Sequence, residues 1–219
     1  MPRGAQHPSG LVLYDKPAGP SSFAIVRDLR ERTGARAGHA GTLDPFATGL
    51  LLVLLGSFTK QAQQFVGLTK RYETEVDLSA TTSTGDLEGE ILEQHDAPPE
   101  DELRTKIEEL RGEVDLPIPA ASAVKIRGER AYKLHRRGVA VEMPLRRTTV
   151  YELELLDYDG RLARLSLHVS SGGYVRALAE ALGGHCASLR RTHVGPFSVE
   201  DADPEKMIEP DAALAVLER

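Results

Sequence analysis

Leu50 to Leu55 is an unbroken apolar run closed by Gly56. A run of that length suits a buried strand, and periodicity alone leaves a buried helical segment open. The stretch directly before it, Gly38-His-Ala-Gly-Thr-Leu-Asp-Pro-Phe-Ala-Thr-Gly49, has the opposite character. Its glycines permit positive φ or close approach of the backbone to a ligand. Asp44-Pro45 is a turn-initiating pair in which proline fixes the next φ. The two stretches together describe an irregular loop anchored on rigid structure, presenting one carboxylate, Asp44, and one imidazole, His39. Asp44 either caps a turn in a Gly-rich connector or does chemistry. No Gly-Lys-Ser/Thr follows, so the loop is not a phosphate cradle of the Walker type.

A chain of 219 residues with 41% apolar content has ample material for one large domain, or for one domain with an insertion. No apolar run approaches the roughly 20 residues of a membrane span, and the polar first residues lack a signal-peptide core. The single cysteine, Cys186, excludes an internal disulfide and fits a reducing cytoplasm. No Cys/His cluster suggests structural zinc. The net charge of −6 argues at first against a nucleic-acid partner. Its distribution argues the other way. Residues 73–119 carry 15 acidic and 3 basic side chains, whereas residues 120–150 carry 8 basic and 2 acidic. That local excess either steers a polyanion or forms a solvated face.

Along the chain, Leu11 to Tyr14 reads as a strand and Asp15 to Pro20 as a turn. Ser21 or Ser22 can cap a helix with Phe23, Val26 and Leu29 at helical spacing, stopping near Gly34. Thr59 to Val66 reads as helical. Arg71 to Leu78 alternates, with Tyr72, Thr74, Val76 and Leu78 on the inward face of a half-buried strand. A helix with Leu103, Ile107 and Leu110 on one face begins near Pro98-Pro99 and ends before Gly112. Val124 to Ile126 reads as extended, Arg127-Gly128 as a turn, and Ala131 to Arg137 as a short helix closed by Gly138. Asp159-Gly160 centres a β-hairpin of Thr149–Tyr158 and Arg161–Ser170, as a type I′ turn. Val175, Leu178, Ala179 and Leu182 mark a last helix, with Arg176 in its first turn. A cation there opposes the helix macrodipole, which calls for an acidic partner.

The wording of several stretches adds a family. His39-Ala-Gly-Thr-Leu-Asp-Pro-Phe-Ala-Thr-Gly49 resembles the signature of the TruB family of tRNA pseudouridine synthases, in which this Asp is catalytic. Lys16 to Ser22 resembles the opening motif of pseudouridine synthases, where the Lys-Pro is chiefly structural. Lys70-Arg-Tyr72 falls at the family's interval after the catalytic loop. Thr82 to Gly89 resembles a family turn, with Ser83 for the usual Asp, and Ser79 replaces a customary Gly. Ser122 to Tyr132 resembles the inserted thumb of stand-alone members, with Ala120 and Ala121 in place of bulkier residues. Ser171-Gly-Gly-Tyr-Val-Arg176 resembles Ser-Gly-Thr-Tyr-Ile-Arg, with Gly173 for Thr, and Leu189-Arg-Arg191 fits as well.

The resemblance covers roughly residues 10–200 and implies an α+β pseudouridine synthase fold: a mixed, largely antiparallel sheet flanked by helices. It implies a polar tail at 1–9, a catalytic domain at 10–200 with the thumb at about 120–147, and a short acidic tail at 201–219 without the PUA domain of longer relatives. The implied activity is conversion of uridine 55 in the tRNA T loop to pseudouridine, by flipping the base, cleaving the glycosidic bond and rejoining through C5. No cofactor or metal is implied. Asp44 is the implied catalytic residue, Arg176 its ion-pair partner, and Tyr72 a ring that stacks on the base and helps move the C5 proton. Leu189 lies beside the base, and His39 fills space or meets displaced nucleotides. Lys125, Arg127 and Arg136, with Lys133 and Arg137, would meet phosphates of the T-arm stem-loop. The implied enzyme is a cytoplasmic monomer with no membrane association and no obligatory protein partner. Two rivals stand beside it: a guide-RNA-dependent pseudouridine synthase, and a non-catalytic RNA-binding or RNA-folding protein.

Overall fold

The computed structural model describes residues 7–218. The chain divides into two compact units, one formed by the residues up to Tyr72 and from Leu189 onward, the other by Glu73–Ser188.

The first unit opens with strand β1 (Gly10–Lys16) and helix α1 (Ser22–Thr33). Ser21 caps α1 by accepting a hydrogen bond from the Ala24 N–H, and Gly34 ends it at φ 66°. The buried residues of α1 are Ser22, Ile25, Val26 and Leu29. Phe23 is therefore a correction to the expected apolar face, being 68% exposed. Strand β2 (Ala37–His39) and strand β3 (Thr48–Leu55) follow, antiparallel to each other. The apolar run is thus a strand, and every residue from Leu50 to Leu54 is 0% exposed because both its faces are covered. Leu50, Leu52 and Leu54 join Leu11, Leu13, Phe58 and Phe65 in one core cluster. Leu51, Val53 and Leu55 join Val12, Ile25, Val26 and Leu29 in another. The period-two alternation of a strand divides the run between them. Beyond β3 a 3₁₀ turn (Gly56–Gln61) leads into helix α2 (Ala62–Val66) and strand β4 (Lys70–Asp77), which runs on into the second unit.

In the second unit, strands β5 (Ala80–Thr82) and β6 (Ile91–Gln94) pair in a small separate sheet. Helix α3 (Glu100–Glu109) buries Leu103 and Ile107. Strand β7 (Gly112–Pro117) then begins the outer edge of the unit's main sheet. The thumb segment contains the two-residue strands β8 (Lys125–Ile126) and β9 (Glu129–Arg130), joined through Arg127 and Gly128, and helix α4 (Ala131–Arg136). Strand β10 (Leu145–Tyr158) pairs antiparallel with both β7 and strand β11 (Leu162–Val169), and β11 lies beside β4. The β10–β11 turn differs from the expected type I′. Gly160 has φ 92° and Asp159 does not adopt positive φ, so the two central residues of a type I′ turn are not both present; the Asp159 N–H donates to the Leu162 carbonyl across Gly160-Arg161. The Asp159 carboxylate instead accepts from the Arg161 and Leu162 N–H groups. Helix α5 (Val175–Leu182) is followed by strand β12 (His185–Val194), which returns the chain to the first unit.

There β12 runs parallel to β3, with Arg190 opposite Thr48 and Arg191 opposite Gly49. Strand β13 (Phe197–Ser198) folds back on β12. The acidic stretch 201–219, expected as a tail, carries strand β14 (Met207–Ile208), antiparallel to β1, and helix α6 (Pro210–Ala215). The charged side chains of residues 201–218 face outward while Ala213 is buried in the core cluster of Leu11 and Leu54. The sheet is mixed and largely antiparallel, with helices packed against it. Among the described residues no helix is long and apolar enough to cross a membrane.

Candidate active site

The Asp44 loop spans β2 and β3, and three side chains of the first unit hold it. Ser22, buried in the first turn of α1, accepts from the Leu43 N–H at 2.8 Å and donates to the Leu43 carbonyl at 2.9 Å. Lys16, at the end of β1, is 0% exposed and donates to the carbonyls of Pro17, Pro20 and Pro45 at 2.8, 2.9 and 3.1 Å. Arg191, on β12, is 1% exposed and donates to the carbonyls of Leu50, Thr42 and Gly41 at 2.8, 3.4 and 3.2 Å. The residues on both sides of Asp44 are therefore fixed by hydrogen bonds to backbone. Asp44 itself is partly buried, in a loop whose backbone has little freedom to move. Gly49 is required where the loop enters β3: it has φ 101°, and a Cβ there would lie 2.3 Å from the Arg191 carbonyl oxygen.

The charges around the loop interact. Burial pulls the Lys16 ammonium down to about 8, the Asp44 carboxylate opposes that shift, and the Arg191 guanidinium reinforces it. Burial and then Arg191 lower the pKa of His39 on β2, which favours its neutral imidazole. Lys70 is likewise lowered to about 8, by burial and then by Arg191, and donates to the Val66 and Leu68 carbonyls. Tyr72 sits on β4 with 8% exposure, on the inward face as the alternation predicts. Leu189 is also 8% exposed, and its carbonyl accepts from Thr48 Oγ1 at 3.5 Å, where the loop ends. His39, Asp44, Tyr72 and Leu189 thus all belong to the first unit.

Arg176 and the thumb cations Lys125, Arg127 and Arg136 belong to the second unit. The Arg176 side chain is 2% exposed and lies 3.3 Å from the Asp86 carboxylate. It also donates to the Thr84 carbonyl at 2.7 Å and to the Ala121 carbonyl, at the root of the thumb, at 3.0 Å. Asp86 in turn accepts from Thr84 Oγ1 and the Glu88 N–H. The acid called for by a cation in the first turn of α5 is present within this unit. In the thumb, Lys125, Arg127, Lys133 and Arg136 point to solvent, with Arg136 5.8 Å from the centre of the Tyr132 ring. Arg137 is occupied by Glu129 at 2.8 Å and Arg147 by Asp115 at 2.8 Å.

A family profile described as TruB family pseudouridylate synthase (N terminal domain) matches residues 29–175. The chain belongs to that family. This makes it an enzyme of a uridine-isomerising family, and the loop around Asp44 lies inside the matched region. The chain is 41% identical to the tRNA pseudouridine synthase B of Corynebacterium glutamicum, over 94% of this chain and 74% of that protein. Among solved structures it is similar to a chain of a Cbf5–Nop10–Gar1 complex, with TM-score 0.66 and 30% identity, covering 86% of this chain and 50% of that one. A second, a pseudouridylate synthase at TM-score 0.52 and 16% identity, covers 97% of this chain and 75% of that one and shares the fold.

Three supports of this TruB-family site escape sequence reasoning. Lys16 and Arg191 stood out only as parts of motifs, and Ser22 only as a motif member and possible helix cap, because their partners are backbone carbonyls and amides that carry no residue signature. Asp86 lay within the Thr82–Gly89 turn, and its position six residues after β5 opens gave no sign that α5 would bring Arg176 to it.

Proposed function

We propose that the chain converts uridine 55 in the T loop of tRNA to pseudouridine, as a cytoplasmic monomer without guide RNA, cofactor or protein partner. The observation that carries this reading is the immobilised Asp44 loop. Lys16, Ser22 and Arg191 fix its backbone, and Asp44 is only partly buried, within a stretch that resembles the family signature. Such an arrangement suits a carboxylate that must meet one reacting atom in one orientation. In the reaction the C1′–N1 bond breaks, the uracil turns, and C1′ bonds to C5. The C5 hydrogen leaves as a proton and N1 gains one, so atoms and charge balance without a redox partner. Asp44, ionised, acts on the flipped nucleotide. Arg176 orients that carboxylate, Tyr72 stacks on the base and assists loss of the C5 proton, and Leu189 bounds the base. His39, neutral, occupies the place of the displaced nucleotide, and Lys125, Arg127 and Arg136 meet phosphates of the T arm.

The decisive experiment is release of tritium from a tRNA transcript carrying [5-³H]uridine, with no guide RNA or other protein added. Release of one tritium per tRNA supports the reading. No release from a folded sample, with a known enzyme active alongside, overturns it in favour of a binding protein. Release only on addition of a guide RNA transfers the chain to the guide-dependent class.

A further inference from the structure

Phe23 is 68% exposed although its type and spacing belong to a core face. A lone exposed aromatic residue is ordinary, and here three observations set it apart. First, it follows Ser22, the residue that bonds both backbone groups of Leu43, so its place relative to the Asp44 loop is fixed. Second, Arg27 and Arg30 lie on the same face of α1. At 3.6 residues per turn, positions 23, 27 and 30 fall within about 60° of one another. Both arginines are exposed, and neither forms an ion pair among the described residues. Third, Asp28 of α1 lies off this stripe and faces Arg32 at 3.5 Å, with Arg32 also bound to Glu205, and Glu31, which borders the stripe beside Arg27, forms no ion pair with it among the described residues.

We infer that this stripe is an RNA-contacting surface continuous with the Asp44 loop. Phe23 stacks on an unpaired base flanking the flipped uridine, and Arg27 and Arg30 hold backbone phosphates of the same strand. A flat ring without hydrogen-bonding groups suits a splayed base, whose π-face needs no sequence match. From residue 23 to residue 30 the helix rises about 10 Å, the length of about three stacked nucleotides. The inference rests on the RNA-isomerising reading, and the experiment keeps the two apart by measuring binding separately from turnover.

Phe23→Ala, Phe23→Trp and the double variant Arg27→Ala/Arg30→Ala are compared with the unaltered chain. Affinity for a fluorescently labelled T-arm hairpin is measured by anisotropy across salt concentrations, with tritium release in parallel. Phe23→Ala is expected to weaken binding roughly 5- to 150-fold, the range for losing one stacked base. Phe23→Trp should restore it, and urea unfolding should be unchanged in both because the side chain is exposed. The double arginine variant should flatten the log–log salt slope by about 1.4, or about 0.7 for each single-strand phosphate. Affinity within twofold in Phe23→Ala together with an unchanged slope in the double variant overturns the inference, even if the unaltered chain releases tritium. Weakened binding in these variants with no tritium release from the unaltered chain keeps the surface and removes the catalytic reading.

Discussion

Ser22 Oγ lies 2.8 Å from the Leu43 amide nitrogen and 2.9 Å from the Leu43 carbonyl oxygen, so one buried hydroxyl satisfies both backbone groups of the residue before Asp44. Helix α1 is thereby tied to the Asp44 loop. Ser22→Ala leaves a buried N–H and a buried C=O without this partner, at a cost of about 1–3 kcal/mol. Ser22→Ala should show a lower urea midpoint together with a fall in kcat larger than the change in KM, because the loop that carries the carboxylate loosens. A variant with lowered stability and unaltered kcat would show that the clamp serves folding alone.

Arg176 is a buried cation that faces a buried anion. Removing one partner of such a pair typically costs about 3–5 kcal/mol, because the other charge is stranded. Arg176→Met should therefore lower stability by that order, and adding Asp86→Asn should recover part of the loss. Urea denaturation of the two single variants and the double variant measures this. Additive losses would show that the 3.3 Å approach carries no coupling. Turnover by Arg176→Met has to be measured on the fraction that remains folded.

Lys70 gives a pH signature with a definite sign. Its pKa is held at about 8 against an ordinary 10.5, first by burial and then by Arg191. Between those values the unfolded chain retains a proton that the folded chain has released, so stability rises with pH across the window. Below about pH 8 the amine is charged in both states and the cost of burying it is fully present. The stability of the wild type relative to Lys70→Met should therefore increase from pH 8 to pH 10. Parallel stability curves for the two proteins would contradict the lowered pKa.

Much of this architecture could be read from residue patterns. The alternation of Arg71–Leu78 gave the inward face of β4, and Gly34, Gly112 and Gly138 gave helix ends, because those signals are local. Phe23 was misplaced because it stands three residues before Val26, whereas the buried face is completed by Ile25, four residues before Leu29, and Phe23 falls just outside that arc. The β10–β11 turn moved by one residue because Asp159 uses its carboxylate on the Arg161 and Leu162 amides instead of adopting positive φ. Strand β14 and helix α6 were hidden by charge: the acidic side chains of residues 201–211 dominate the composition, while Met207, Ile208 and Ala213 make the packing contacts. The Asp44 loop was legible as a motif, whereas the reason for its rigidity was not. Its supports act on backbone groups from positions as distant in sequence as Lys16 and Arg191.

The thumb cations divide into two classes that a salt titration separates. Lys125 and Arg127 point to solvent, whereas Arg147 is bound to Asp115 through two hydrogen bonds of 3.1 and 2.8 Å. Lys125→Ala/Arg127→Ala should weaken RNA binding and flatten its log–log salt dependence by about 0.7–0.9 per lost phosphate contact. Arg147→Ala should leave the slope nearly unchanged. Equal slopes for the wild type and the Lys125/Arg127 variant would make that cluster a solvated face.

The central claim is that the carboxylate of Asp44 does the chemistry, and single-turnover tritium release by Asp44→Asn tests it most directly. With enzyme in excess over [5-³H]uridine-labelled tRNA, substrate binding and product release drop out of the measurement. The amide of Asn is neither nucleophile nor base at neutral pH, so this variant should bind the T-arm hairpin with wild-type affinity and release no tritium above background. Tritium release by a folded Asp44→Asn variant at a substantial fraction of the wild-type rate would contradict the account and remove Asp44 from the reaction.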